Sequence, residues 1–405
     1  MAVGVVEACS AGSPTSSPNG GSGAGLSGAS QVAGAAGNAG THSGGIGNAG
    51  AGNGGGSSGS AGASGSGATS GAGTLGGAAG AGAGGGSSFA PYVCPPGPFT
   101  VDLSALGAPT RVSGAPLADS FNNDGNNFTV LEGPVWISGA LYFSEFGSTT
   151  KPPPSRILKI DANDNVSVAF PSVTDTGSNG LAVDSAGNVV AASHGLGGIV
   201  RFPLPSGSPM STLASMYTGH RFDSPNDLTV RADGAIYFTD FLGDQTPSSP
   251  PQGAPAVYLL PAGSQSAVSL FVDNNDPNGV SLSLDEKTLY VGDKSGVMKY
   301  AVNADGTITM PGSPVDALDL SNQTTDGMVL DCAGDLYVVR VNQHDIVVVS
   351  PAGQKLANIS VPGSGQITNV AFGGSDHRTL YITVMGTGTT RGVFKLAMPL
   401  PGMPF

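Results

Sequence analysis

From residue 130 onward, apolar and polar residues alternate over short runs, break at a tight turn such as AG, DG, DE or SD, and then resume alternating. A period of two around a turn of this chemistry predicts a β-hairpin rather than a helix. The hairpin recurs as LEGPVWISGALYFSE at 131, SNGLAVDSAGNVVAAS at 178, PNDLTVRADGAIYFTD at 225, PNGVSLSLDEKTLYVGD at 277, TDGMVLDCAGDLYVVR at 325 and ITNVAFGGSDHRTLYITV at 367. A third strand follows each: RILKID at 156, GIVRFP at 198, AVYLL at 256, GVMKYAV at 296, DIVVVS at 345 and GVFKLAM at 392. A weaker fourth is visible in STLAS at 211 and AVSLFVD at 267. Four short strands per unit, repeated six times, predict an all-β fold, a six-bladed β-propeller. A β-sandwich would give no reason for six evenly spaced copies. Little chain follows GVFKLAM, so a strand within PTRVSGAP at 109–116 is expected to complete the last unit.

Composition divides the chain. Residues 11–88 contain no Asp, Glu, Lys, Arg, Phe, Trp or Tyr and hold 30 of the 66 glycines. A Gly/Ala/Ser-rich tract of this kind cannot bury enough apolar surface to offset its ordering entropy, and is expected to be a long disordered arm. The division is therefore residues 1–10 as a truncated signal or lipobox-like start, 11–88 as a low-complexity linker, and 89–405 as the propeller. VVEAC ends at Cys9 after only a short MAVGVV. An apolar run further upstream would make Cys9 a lipid anchor and the protein a cell-envelope or extracellular one; an ordinary terminus with one Cys is the alternative. Cys94 and Cys332 lack zinc spacing and could pair in an oxidising compartment. The net charge of −13, without Lys/Arg clusters, argues against nucleic acid as a partner. No run is long and apolar enough for a transmembrane helix.

In a propeller the first strand of each unit lines the central channel. The polar residues opening the six units are Glu132, Asn179, Asn226, Asn278, Asp326 and Thr368, separated by 47, 47, 52, 48 and 42 residues. Asn-Gly and Asp-Gly pairs are also ordinary turn residues. As a ring, however, they offer hard oxygen atoms with no thiolate or imidazole, a set that suits Ca²⁺, Mg²⁺ or Mn²⁺. A cation would also relieve the repulsion between two crowded carboxylates.

EGPVW at 132, HRFDSPNDLTVRADGAIYFTD at 220, PNGVSLSLDEKTLYVGD at 277 and TDGMVLD at 325 resemble, in order and spacing, the blade motifs of the gluconolactonase/regucalcin family of six-bladed propellers. The likeness covers about residues 125–397. It implies a divalent ion held by Glu132, Asn278 and Asp326, with Ca²⁺ first and Mg²⁺, Mn²⁺ or Zn²⁺ after it. It implies Asn226 as a contact to substrate or to the ion, and His194 of ASHG as a substrate-side residue. Two departures stand out. Members resembling regucalcin carry an Arg two residues before the Asn of SPND, where this chain has Ser224. Many bacterial members follow YFTD with Pro-Pro-Tyr-Gly, where FLGDQ follows Asp240.

Together with the ring, the resemblance implies a metal-dependent hydrolase of a small lactone or related ester. The ion would polarise a carbonyl oxygen and activate water, Asp326 would act as general base, and Asn226 and Asn179 would hold substrate oxygens. Residues 89–405 contain no G-x-S-x-G, which lowers the expectation of a serine esterase. The rival readings are an aryl-ester or organophosphate hydrolase on the same ring, and a non-catalytic tethered propeller that captures a ligand or partner around a structural ion.

Overall fold

A computed structural model describes residues 89–404, apart from 100–101, 116–127, 148–154, 172–176, 206–209, 242–253, 316–319, 362 and 364. The expected arm, Cys9 and the stretch 242–245 lie outside the described residues. Among the described residues there is no α-helix, and strands of two to ten residues account for nearly all regular structure. No helix is long and apolar enough to cross a membrane.

The strands form a β-propeller-like arrangement. Four sheets have four strands each, antiparallel and in chain order. The first contains Ser178–Val183, Val189–Ser193, Gly198–Phe202 and Ser211–Ala214; the second Ser224–Val230, Ile236–Phe241, Ala256–Leu260 and Val268–Val272. The third contains Val280–Leu282, Thr288–Asp293, Gly296–Ala301 and Ser313–Pro314; the fourth Thr325–Leu330, Leu336–Arg340, Asp345–Val349 and Lys355–Ser360. A fifth, eight-stranded sheet runs Thr110–Arg111, Gly392–Ala397, Thr379–Thr387, Phe128–Ile137, Ala140–Phe146, Ser155–Ile160 and Val166–Phe170, with Gln366–Gly373 also paired to Thr379–Thr387. The strand sought within 109–116 is thus Thr110–Arg111, in register with Lys395 and Phe394.

The core lies between successive sheets, because inner strands such as Ser178–Val183, Ile236–Phe241 and Leu336–Arg340 bury both faces. Leu228 and Phe238 of one sheet pack against Ala182 and Val190 of the sheet before it, and Val370 and Leu380 pack against Val329 and Val339. Trp136 stacks on Tyr381, ring centroids 5.6 Å apart, above Gly373, where any Cβ would meet the indole. Two terminal segments cross the end of the molecule where the hairpin turns lie. Cys94 is disulfide-bonded to Cys332, with Cα atoms 5.4 Å apart, and Tyr92 stacks on His377 at 3.7 Å. At the other terminus, the Pro404 carbonyl accepts from Trp136 N at 3.1 Å, and Met403 exchanges hydrogen bonds with Leu330 and Phe372. Neighbouring sheets are stitched together there.

Candidate active site

The strand that opens each repeat carries an irregularity at the same place. Ladder pairing is interrupted between Glu132 and Val135, Ser178 and Leu181, Pro225 and Leu228, Thr325 and Met328, and Ile367 and Asn369. Bulges of this kind re-aim a side chain out of the sheet's alternation. They explain how a strand otherwise packed on both faces presents a polar group at its start. In the remaining repeat, Asn278 and Gly279 precede the strand and close onto Gly292 by two backbone hydrogen bonds.

Side-chain hydroxyls fix each opening strand to its neighbour. Ser144 Oγ donates to the Asn179 carbonyl at 2.7 Å, Thr239 Oγ1 to the Asn278 carbonyl at 2.6 Å, and Thr368 Oγ1 to the Leu131 carbonyl at 2.6 Å. These contacts lie at the backbone of Asn179, of Asn278 and of Leu131, next to Glu132.

The expected residues are brought together in a closed circuit. A Cβ on Gly133, which has φ +54°, would overlap the Asn179 carbonyl; one on Gly180 would lie 2.7 Å from the Asn226 carbonyl and 2.6 Å from Asp227 Oδ1. Asp227 Oδ2 accepts from Val280 N at 3.4 Å. Gly279 lies against the Asp326 carbonyl, and Gly327 against the Asn369 amide. Asn369 Nδ2 donates to Glu132 Oε2 at 3.1 Å, which completes the circuit. Glu132, Asn179, Asn226, Asn278 and Asp326 are each at most 4% exposed.

Thr368 departs from expectation. Its hydroxyl is taken by Leu131 and Thr383, so it latches sheets and does not supply a sixth ring oxygen. The interruption in its strand skips one residue where those in Thr325–Leu330 and Ser224–Val230 skip two. The inward polar side chain is accordingly Asn369, one position later. Two residues were therefore missed, Asp227 and Asn369. Both stand in the column that is glycine in the other four repeats (133, 180, 279 and 327), which was the available signal. Burial first, and then the neighbouring Glu132 carboxylate, push the Asp227 carboxyl up to about 7, against the backbone N–H of Leu228.

Around the ring, His194 is fully buried and its Nε2 lies 2.9 Å from Asn179 Nδ2. Arg221 does not reach toward the ring: its guanidinium donates to the carbonyls of His194 and Phe222. Ser224, standing where relatives of the regucalcin type carry Arg two residues before the Asn of SPND, is buried and its N–H donates to Asp240 Oδ1 at 2.7 Å.

The donor set suits a hard cation. Glu132 and Asp326 supply carboxylates and Asn278 an amide oxygen. Asn179 Oδ1 and Asn226 Nδ2 are buried with no hydrogen-bond partner among the described residues. Leaving such an atom unsatisfied costs about 1–3 kcal/mol. Two of them in one ring are more economically explained by a bound group than by packing. Among the described residues no three His, Cys, Asp or Glu side chains form a cluster that could hold a metal ion, so any ion here would depend on amide oxygens as well as carboxylates. A cavity of about 800 Å³ lies elsewhere, at the hairpin-turn end beside Tyr92, Asp184, Arg231 and Met403. It contains none of the ring residues.

A propeller-like fold with a buried ring of Glu, Asp and Asn defines the class. The family model described as the SMP-30/gluconolactonase/LRE-like region matches residues 130–386, and the chain belongs to this family. A gluconolactonase from Zymomonas mobilis is 27% identical over 291 residues, covering 62% of this chain and 75% of that protein. The lactonase drp35 of Staphylococcus aureus is 27% identical over 141 residues, 34% of this chain and 42% of its own length. Among solved structures, a gluconolactonase from Xanthomonas campestris is 26% identical with a TM-score of 0.56, over 76% of this chain and 99% of that one. Regucalcin from Agrobacterium tumefaciens, a calcium-binding protein, shares the fold at 18% identity and a TM-score of 0.56, over 74% and 96%.

Proposed function

We propose that this protein hydrolyses a small lactone or related ester at the channel ring of a six-bladed propeller. The observation that carries the reading is the closed ring itself, in which Glu132, Asn278 and Asp326 occupy the positions that match the EGP, PNG and DG motifs of a family with gluconolactonase members. The blade count is supported by the eight-stranded sheet. Among the described residues, ladder pairing joins its halves only through Phe128↔Thr387 and Thr129↔Gly386. Counting Thr110–Arg111, four strands fall on each side.

Glu132, Asn278 and Asp326 would hold a divalent ion, Ca²⁺ first, which when bound supplies Lewis-acid polarisation of the ester carbonyl. Asp326 accepts the proton of the attacking water. Asn226 holds a substrate oxygen through its unpartnered Nδ2, and the unpartnered Oδ1 of Asn179 accepts from a substrate hydroxyl. The buried position of these groups keeps bulk water from competing for the same hydrogen bonds. The Cys94–Cys332 bond further suggests that the protein works in an oxidising compartment, in keeping with an envelope or extracellular location.

The test is hydrolysis of aldonolactones, simple lactones, aryl esters and a phosphotriester by the full chain, with and without chelator. Chelator-sensitive turnover of a lactone is expected. Turnover confined to the aryl ester or phosphotriester would move the substrate class. Tight ligand retention without turnover of any of them would favour the binding propeller, for which the substitution at Ser224 is the motivating observation.

A further inference from the structure

The residue after each ring position is Gly133, Gly180, Asp227, Gly279, Gly327 and Asn369. The two that carry side chains lean over glycines: Asp227 over Gly180, and Asn369 over Gly327, where an added Cβ would overlap the amide. Asn369 is 6% exposed, and both ends of its amide are hydrogen-bonded. Oδ1 accepts from Val370 N at 2.8 Å, which fixes which end of the amide is oxygen. Nδ2 is thereby turned to Glu132 Oε2 at 3.1 Å. The same Glu132 Oε2 accepts from Gly133 N at 2.8 Å.

We propose that Asn369 is a positioning residue: a neutral clamp that fixes the buried Glu132 Oε2, so that the rotamer of Glu132 is set before a cation arrives. The choice of an amide follows from charge. An Arg or Lys here would cancel the negative charge that draws a cation, and a carboxylate would repel Glu132 and Asp227 across a buried gap. An amide keyed by a backbone N–H holds the geometry and leaves the charge intact. Glycine at 327 is then required as the space that the clamp occupies. The inference rests on the cation reading given above.

The experiment titrates Ca²⁺, Mg²⁺ and Mn²⁺ calorimetrically into the full chain and into Asn369→Leu, Asn369→Ser and Asn369→Asp, with circular dichroism to select folded variants. Leu keeps the volume and removes the donor. Ser is smaller, and serves if Leu cannot be accommodated. Loss of a group that orients a ligand weakens metal binding about 10- to 100-fold, and that loss is expected for Leu and Ser. Asn369→Asp separates orientation from charge: added negative charge alone would tighten binding, whereas a disturbed clamp weakens it, the result expected here. Folded Leu and Ser variants that bind within about twofold of the parent, or an Asp variant that binds more tightly, would overturn the clamp and leave the cation site standing. A parent chain that binds none of the three ions would overturn both.

Discussion

His194 Nε2 and Asn179 Nδ2 lie 2.9 Å apart, with both residues fully buried. The imidazole sits between the rings of Phe146 and Phe241, each centroid 6.0 Å away. Its Nε2 faces Asn179, and through that amide it acts on the site. Donation from Nδ2 to Nε2 leaves Asn179 Oδ1 aimed elsewhere, and that oxygen has no partner among the described residues. His194→Ala removes the acceptor and opens a gap between two phenylalanines. We expect kcat/KM on a lactone to fall roughly tenfold or more, the cost of one buried unsatisfied donor, at unchanged cation affinity. His194→Gln, which can still accept from Asn179, should recover part of the loss. Equal activity in the parent and the alanine variant would show that Asn179 needs no orientation.

Within the ring, residues of different charge should separate by assay. Asp326→Ala removes a ligand charge and the proposed base together, so cation binding and hydrolysis should both collapse. Glu132→Gln keeps shape and one carbonyl oxygen but loses charge, and should weaken the ion while turnover at saturating metal is partly retained. Asn226→Ala should lower activity with little change in cation affinity. Calorimetry beside a lactone assay on the three variants distinguishes these patterns; an Asp326→Ala chain that behaves like the parent would mean the ring is not the site.

The periodicity of two was enough to locate every third strand, because a strand buried on both faces and bounded by turn residues leaves a compact apolar run such as AVYLL or DIVVVS. Glu132, Asn179, Asn226, Asn278 and Asp326 were legible for a different reason: they open equivalent repeats, so a repeated fold brings them to equivalent places. Asp227 and Asn369 were not, since they occupy a column whose glycines look like turn residues. Their role depends on the neighbouring repeat's glycine leaving room. Thr368 was misread because one skipped residue fewer in its strand shifts the inward position by one, a detail that no propensity encodes. The pairing of Cys94 with Cys332 depends on a fold that brings residues 238 apart in sequence to 5.4 Å. Spacing alone says nothing of that distance.

The disulfide yields a prediction about where stability resides. Cys94 belongs to the segment that crosses the hairpin-turn end, with Phe89 against Gly187 and Tyr92 against His377. The ring is at the other end of the strands. Cys332→Ser, or reduction, should lower stability by about 2–5 kcal/mol, the usual cost of losing a native bridge. Lactone turnover below the melting transition should stay within about twofold. Denaturant unfolding and a lactone assay on oxidised and reduced protein provide the check; a large loss of turnover in folded, reduced protein would show that the two ends are coupled.

Asp240 supplies one pH-dependent contribution to stability. Its carboxyl is buried and accepts from the backbone N–H groups of Asp223 and Ser224 at 3.1 and 2.7 Å. Burial outweighs those two bonds and pushes it up to about 7, with the Asp223 carboxylate adding to the rise. In the unfolded chain the same group titrates near ~3.9. Between about pH 4 and 7 the folded protein therefore keeps a proton that the unfolded chain has released. By linkage, this group's contribution to stability is fully present below about pH 4, falls as pH rises through that window, and levels off above 7. Asp240→Asn removes the titration while it keeps one acceptor oxygen. The melting temperature of the parent minus that of the variant should then be larger at pH 5 than at pH 8. Scanning calorimetry at both values, in buffers of matched ionic strength, measures the difference. A gap that widens toward pH 8 would mean that Asp240 is held as a carboxylate, and that the two N–H donors outweigh burial.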